Sequence, residues 1–292
     1  MILGAIEAGG TKIICGIGNE KGQLSDKIHF PTKSPEETMP LIIDYFKDKN
    51  IEALGIGTFG PVDVDPNSDT YGYILDTPKP GWSMYPFLDT IKNEINVPTI
   101  IDTDVNGAAY GEAKWGVASD VDSCLYITIG TGVGAGFYAN GALLHGLLHP
   151  EMGHILLRRH EKDTFAGRCP FHGDCLEGLA CGPAIEERFN EKAYKLDENH
   201  LAWEIESYYI DKSMINYTMI LSPKKIILGG GDMKQKQLFP MIHQHFIQMM
   251  NGYIKKPELK EKISDYIVYP GLGDNSGTYG ALALATIAAE LV

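Results

Sequence analysis

Cationic residues are in short supply in this sequence. Its 292 residues carry 25 Lys and Arg against 38 Asp and Glu, a formal net charge of −13 at pH 7. No basic stripe is available to neutralise a run of phosphates, which argues against a nucleic-acid binder. Apolar runs are short as well, and none approaches the roughly 18–20 residues that a membrane helix needs. The first residues, MILGAIEAGG, have neither the positive start nor the cleavage pattern of a signal peptide. Cysteines are few and odd in number, five in all, and two of them fall in a metal-like spacing. A disulfide framework is therefore not expected, whereas a reducing cytoplasm is. What remains is the profile of a globular protein with a full core, 44% hydrophobic and 22% charged, long enough for about two domains. Such an acidic chain can still bind phosphorylated small molecules through backbone N–H groups and a few local cations.

Residues 2–30 read as three short strands, "ILGAIEA", "KIICGIG" and "QLSDKIHF", separated by Gly9-Gly10 and the turn "NEKG". Met39, Leu41, Ile42, Tyr45 and Phe46 fall at helical spacing over 35–49. "ALGIGTFG" is a buried strand running into Gly60-Pro61, "PFLDTIKNEIN" an amphipathic helix, "PTIIDTD" a strand and "VNGAAYGEAKWG" the helix after it. A second cycle starts near 121, with "SCLYITIG", "GVGAGFYANG" and "ALLHG" as strands around another glycine turn. "KKIILGGGDM" is a strand ending in three glycines, and the chain closes with a strand, a loop and an Ala-rich helix. The two halves share a layout without residue-level repetition. With no linker to mark it, the boundary is placed near 117–121.

Three strands end in glycine: "EAGGTK" (7–12), "GTGVG" (130–134) and the triplet 229–231. Glycine there permits positive φ and lets backbone N–H groups approach a ligand. Thr11 and Lys12, or Thr131, would add hydroxyls and a cation. Each alone is also a common hairpin turn, and the Walker pattern G-x-x-x-x-G-K-[ST] is absent. Three such loops at strand ends together suggest a nucleotide held between two domains.

Cys169, His172 and Cys175 form a C-x-x-H-x-x-C spacing, with His149, His154 and His160 upstream across a polar loop. Two Cys and two His suit tetrahedral Zn²⁺ and leave no position for water, so such a metal is structural. A polar loop of this length cannot order itself by burial, and a metal crosslink offsets that entropy.

On these segments the chain resembles the ROK family of sugar kinases, most closely its bacterial fructokinase branch. The family has an α/β, two-domain actin/hexokinase-like (ribonuclease H-like) fold with a duplicated domain. The resemblance spans essentially the whole chain. It implies an N-terminal domain of 1–117 plus 275–292 and a C-terminal domain of 118–274. "EAGGTK" is similar to the family's first phosphate loop, "IGTGVGAG" to the second and "LGGGD" to the adenosine loop. The resemblance thus implies ATP binding by Gly9, Gly10, Thr11, Lys12, Thr131, Gly132, Gly182, Gly229, Gly230, Gly231, Asp232, Met233 and Lys234. "EMGH" and "CPFHGDC" look like the zinc-linked sugar site, which selects His154 over His149 and His160 as fourth ligand beside Cys169, His172 and Cys175. Gly60, Pro61, Thr103, Asp104, Glu151, His154 and Glu177 are the implied sugar contacts. "TPKPGW" (77–82) and "GTFGPVDVD" (57–65) point to the fructokinase branch. The chain departs from the pattern at Glu7, where many members have Asp, at Thr103 in place of Asn, and at Cys181 in place of Ser.

Asp102 and Asp104 stand at a strand end and a helix start, where helix capping is the plain explanation for one of them. The resemblance makes Asp104 the general base toward a sugar hydroxyl and leaves Asp102 structural. An Asp with a reference pKa of about 3.9 is a weak base. That suffices where a loose transition state mainly needs positioning and charge stabilisation. Mg²⁺ accompanies ATP with few protein carboxylates around it, and Glu7 and Asp104 are its candidate indirect holders. The implied activity is ATP-dependent phosphorylation of a hexose, foremost fructose to fructose 6-phosphate. Glucose, mannose and N-acetylmannosamine kinases are alternatives of the same chemistry, and the family also implies a homodimer. A sugar-sensing regulator would carry an added helix-turn-helix before the first strand, and the sequence starts in that strand. A non-catalytic sugar binder sits poorly with Asp104 and both phosphate loops. Because the metal loop is remote in sequence from the phosphate loops, its loss is expected to affect sugar more than ATP.

Overall fold

Apolar residues at strand and helix spacing resolve into two sheets dressed with helices. The computed structural model describes residues 1–291. In chain order its elements are β1 (Leu3–Ala8), β2 (Lys12–Gly18), β3 (Leu24–Pro31), α1 (Pro35–Phe46), β4 (Ala53–Thr58), α2 (Phe87–Glu94), β5 (Thr99–Thr103), α3 (Asp104–Trp115), β6 (Ser123–Ile129), β7 (Val133–Ala139), β8 (Ala142–Leu143), α4 (Leu176–Ala180), α5 (Gly182–Phe189), α6 (Leu201–Leu221), β9 (Lys225–Gly229), α7 (Leu238–Met250), α8 (Ile263–Tyr266), β10 (Ile267–Val268) and α9 (Ser276–Glu290). They form two compact units. One comprises Met1–Asp122, Gly136–Pro150 and the chain from Gly271 on; the other comprises Ser123–Ala135 and Glu151–Pro270. Residues 136–150 thus belong with the first unit, an excursion that no break in composition signals.

The first unit is built on a five-stranded sheet of order β3-β2-β1-β4-β5. β1, β4 and β5 run parallel, while β2 and β3 are antiparallel to their neighbours. β4 is buried along its whole length and β1 along nearly all of it, as strands covered on both faces must be. β3, at the edge, is largely exposed and carries Asp26, Lys27 and His29, charges that discourage further strand pairing. One face packs Ile6, Ile56 and Ile13 with Met39, Ile42 and Phe46 of α1 and Phe87 and Ile91 of α2. The other packs Leu3, Ala5 and Ala53 against Ala281, Leu282, Ala285 and Ala288 of α9. That helix lies so close that a Cβ at Gly55 would stand 2.0 Å from the Ala281 carbonyl oxygen.

Glu112 fastens α3 to the start of α9. It is fully buried, and its carboxylate accepts from the backbone N–H groups of Val117, Gly271 and Leu272 at 2.9–3.0 Å and from Ser276 Oγ at 2.9 Å. Such a buried charge is tolerable because every lone-pair direction is used.

In the second unit β6, β9 and β10 are parallel, in the order β10-β9-β6 with β7 beyond β6. The chain leaves this unit partway along β7, and the remainder of that strand pairs with β8 (Tyr138↔Leu143) in the first. β8 and β10 are only two residues long each, shorter than the apolar runs around them suggest. The longest helix, α6, has 21 residues. Among the described residues no helix is long and apolar enough to cross a membrane.

Candidate active site and metal centre

Parallel neighbours deliver their following loops to the same sheet edge, which is where open α/β sheets bind ligands. In the first unit β1, β4 and β5 lead into Gly9-Gly10, Gly60-Pro61 and Thr103-Asp104 respectively. The three segments are therefore neighbours. The first is a tight hairpin turn: Gly9 N–H donates to the Lys12 carbonyl at 2.9 Å, and Thr32 Oγ1 donates to the Gly9 carbonyl at 2.7 Å. Neither Gly9 nor Gly10 needs a positive φ; at Gly10 the constraint is space, since a Cβ would meet Lys79 Nζ at 2.9 Å. Glu7, one strand residue earlier, accepts from Thr278 Oγ1 at 2.6 Å, and burial draws its pKa upward against that bond.

Thr103, not either aspartate, caps α3: its Oγ1 accepts from Asn106 N–H at 3.1 Å. Asp104 is the first helical residue and is partly exposed, with its Oδ1 accepting from Val105 N–H at 2.9 Å. Asp102 is buried and fully occupied. Its Oδ1 accepts from Thr103 N–H (2.7 Å) and Asn106 Nδ2 (2.8 Å), and its Oδ2 faces His145 Nε2 at 2.8 Å. The hydrogen bond to Asp102 raises the His145 pKa, against the effect of burial. His149, from the same loop, accepts from Val62 N–H at 3.1 Å and so pins the cis Gly60-Pro61 segment. Burial depresses its pKa, consistent with a neutral acceptor. Sequence reasoning missed His145 and weighed His149 only as a metal ligand, although "HGLLHP" directly precedes "EMGH".

In the second unit β6 and β9 end side by side, bringing Thr131 and Gly132 toward the 229–234 segment. Gly182, at the start of α5, donates its N–H to the Gly130 carbonyl at 2.8 Å. A Cβ on Gly130 would lie 3.3 Å from Gly231 N, and one on Gly182 3.0 Å from both Asp232 carboxylate oxygens. The glycine segments expected to act together are thus in contact. Gly230 does require the left-handed region, with φ +96°. Met233 is buried beneath the turn, whereas Lys234 is exposed. Burial pushes Asp232 up to about 7 and Glu206, buried behind it on α6 with no partner for either oxygen, well above the usual carboxylate range.

His154, Cys169, His172 and Cys175 converge, their donor atoms all within 4.8 Å of one another. His154 Nδ1 lies 3.4 Å from Cys175 Sγ and 3.7 Å from Cys169 Sγ; His172 Nδ1 lies 3.7 Å from Cys169 Sγ. A tetrahedral zinc with Zn–S near 2.3 Å and Zn–N near 2.0–2.1 Å requires S···N edges of roughly 3.6 Å. The donor set fits zinc in kind, number and spacing. Burial holds the Cys175 thiol up at about 11. The other two histidines are engaged elsewhere, His149 with Val62 and His160 near Glu204 at 3.7 Å.

Glu151 and Glu177 flank this centre in sequence. Desolvation, with Glu177 contributing, raises Glu151 to about 7. Part of its surface nevertheless remains accessible. Glu177 Oε2 is already committed to Val133 N–H, leaving only its second oxygen for any other partner.

Comparison with known proteins fits this arrangement. The profile of the ROK family matches residues 3–287. The chain is 56% identical over 284 residues to a putative fructokinase of Bacillus subtilis, covering 97% of this chain and 95% of that protein. It is 48% identical over 288 residues to a fructokinase of Pediococcus pentosaceus, covering 99% of each. A ROK glucokinase of Streptomyces griseus, solved with glucose and AMPPNP, superposes with a TM-score of 0.76 at 23% identity, covering 98% of this chain and 100% of its own. The chain belongs to the ROK family and has its two-domain, actin/hexokinase-like α/β fold.

Proposed function

We propose that the chain is an ATP-dependent fructokinase, converting D-fructose to fructose 6-phosphate. The observation that carries the reading is its similarity, over nearly the full chain, to two proteins named as fructokinases. The glucose and AMPPNP held by the Streptomyces griseus glucokinase support a hexose and ATP as the substrate pair.

In this reading Asp104 accepts the proton of the attacking sugar hydroxyl. It stands at a strand end, on the first turn of α3, partly exposed, with Oδ1 held by Val105 N–H. Because phosphoryl transfer proceeds through a loose transition state, a carboxylate that positions the hydroxyl and takes its proton late is adequate. Gly9, Gly10, Thr11 and Lys12 hold phosphate. Thr131, Gly132, Gly182 and Gly229 through Lys234 hold the rest of the nucleotide. Mg²⁺ bound to the nucleotide would neutralise phosphate charge, and Glu7 and Asp104 are the carboxylates that would hold it indirectly.

Glu151 accepts from sugar hydroxyls. The Nε2–H of His154, whose Nδ1 faces the two thiols, donates to one, with Thr103 and the Gly60-Pro61 backbone as further contacts. His154, Cys169, His172 and Cys175 would hold zinc, which when bound would supply a crosslink fixing His154 and the turn carrying Glu151. The protein works in the cytoplasm as a homodimer.

Steady-state kinetics with fructose, mannose, glucose and N-acetylmannosamine test the proposal. Fructose should have the highest kcat/KM by about tenfold or more, the size of discrimination available from one or two hydroxyl contacts. A higher value for glucose or N-acetylmannosamine would replace fructose as the substrate while leaving the kinase chemistry.

A further inference from the structure

"TPKPGW" is left without a task by this scheme, and Lys79 within it holds an unusual position. Its Nζ donates to the Gly10 carbonyl at 2.8 Å and stands 5.1 Å from the centre of the Phe59 ring. The segment around it is firmly built. Trp82 is buried, donates from Nε1 to the Lys33 carbonyl at 2.7 Å, and meets Phe59 and Phe87 edge-on at 5.5 and 5.6 Å. Ser83 Oγ closes the loop onto Asp76 Oδ1 at 3.0 Å, and Gly81 takes φ +78° against Pro35.

Two other lysines of this unit are paired with carboxylates, Lys33 with Glu37 at 2.7 Å and Lys49 with Asp26 at 2.8 Å, while Lys27 and Lys114 donate to Asn275 and Thr286. Lys79 has no carboxylate within ion-pair distance among the described residues. One N–H is spent on Gly10, the aromatic face shields part of the charge, and two donors are left over. Burial draws its pKa down, as expected for a cation short of a counter-charge. Packing alone does not account for a lysine here, since an uncharged side chain of similar length would cover Phe59 without the desolvation cost.

We propose that Lys79 is a phosphate-binding residue: its ammonium, held on the Gly10 carbonyl, donates to an oxygen of a phosphoryl group seated on turn 9–12. This rests on reading that turn as a phosphate loop. The ligand is a phosphate monoester or anhydride, either the terminal phosphates of ATP or the phosphate of the hexose product. Lysine suits the task as a compact point charge on a flexible stem, and the chain's net charge of −13 makes a local cation the more necessary.

The test uses the full-length, metal-loaded protein with Lys79→Met, which keeps the stem on Phe59, and with Lys79→Arg. Dissociation constants are measured calorimetrically for AMP, a non-hydrolysable ATP analogue and fructose 6-phosphate, together with KM for fructose. For Lys79→Met we expect at least tenfold weaker binding of the ATP analogue or of fructose 6-phosphate, and whichever is affected identifies the source of the phosphate. AMP affinity and fructose KM should stay within about twofold, and Lys79→Arg should recover part of the loss. Unchanged binding of both phosphate ligands, or an equal loss for AMP, overturns the proposal. Lys12→Ala, run in parallel, separates the two levels. If it weakens the ATP analogue while Lys79→Met weakens neither phosphate ligand, the loop reading stands and the Lys79 proposal falls. If neither variant has an effect, both fall.

Discussion

Glu177 Oε2 accepts a hydrogen bond from the backbone N–H of Val133 at 3.0 Å. Glu177 lies in the first turn of α4, whose N-cap is Cys175, one of the four metal-type ligands. Val133 follows the second glycine turn. A short chain of contacts therefore joins the metal centre to a loop assigned to the nucleotide, although some forty residues separate them in sequence.

The consequence is measurable. Cys169→Ser or Cys175→Ser should lose zinc, lower the thermal midpoint and raise KM for both fructose and ATP. The remoteness of the segments in sequence predicts a smaller effect on ATP than on sugar; the Glu177–Val133 bond predicts a clear effect on both. Purified wild-type protein should contain about one zinc per chain. Zinc-free protein with full activity would sink the crosslink role, and an unchanged ATP KM would show that the Glu177 bond transmits nothing.

Asp104→Asn should lower kcat by roughly 10²–10⁴ while leaving nucleotide affinity near wild type, as loss of a positioned acid–base group does. A variant retaining more than about a tenth of wild-type kcat would remove Asp104 from that role. Thr103→Ala provides the contrast. It deletes the cap on Asn106 N–H and should cost about 1 kcal/mol of stability, readable in a denaturation curve.

Glycine substitutions should separate by mechanism. Gly230→Ala forces a side chain into φ +96°, with the backbone of Ile129 2.2 Å from the new Cβ, so low yield and a depressed thermal midpoint are expected. Gly132→Ala meets only Glu177 Oε2, at 2.6 Å. It should fold, break the Glu177–Val133 bond and raise ATP KM several-fold. Equal expression of the two variants would contradict this ranking.

Buried carboxyls on the second unit give stability a slope with pH. Folding raises Asp232 from 3.8 to about 7 and Glu206 well above 4.5, both chiefly through desolvation. Between the unfolded and folded values the native state holds more protons than the unfolded one, so stability falls as pH rises. Glu206→Gln and Asp232→Asn should therefore gain thermal midpoint over wild type at pH 8 and lose that advantage below about pH 4. A constant difference across the range would mean the carboxyls do not titrate on unfolding.

The sequence made the metal ligands and the glycine turns legible because their chemistry is written in local spacing. Cys169, His172 and Cys175 lie within seven positions, and each glycine turn follows its own strand. Contacts closed over long stretches were not legible. His145 reaches Asp102 across 43 residues and His149 reaches Val62 across 87, and no pattern announces such pairs. α6 escaped for another reason. Its burial extends around most of its circumference, with Glu206, Ser207 and Asp211 inside among Trp203, Ile210 and Met214. It therefore shows no clean apolar stripe of the kind that betrays a surface helix.

α9 has a further implication, for the order in which the protein is made. It supplies the packing layer for β1 and β4, yet it is synthesised after every other element. The strands it covers are among the first to leave the ribosome, so one apolar face of that sheet stays bare until the last helix emerges. During that interval the nascent chain has the exposed strands and unfilled groove that invite chaperone capture or misassembly. Folding of the first unit is in this sense completed only once α9 has been made, long after the strands it covers.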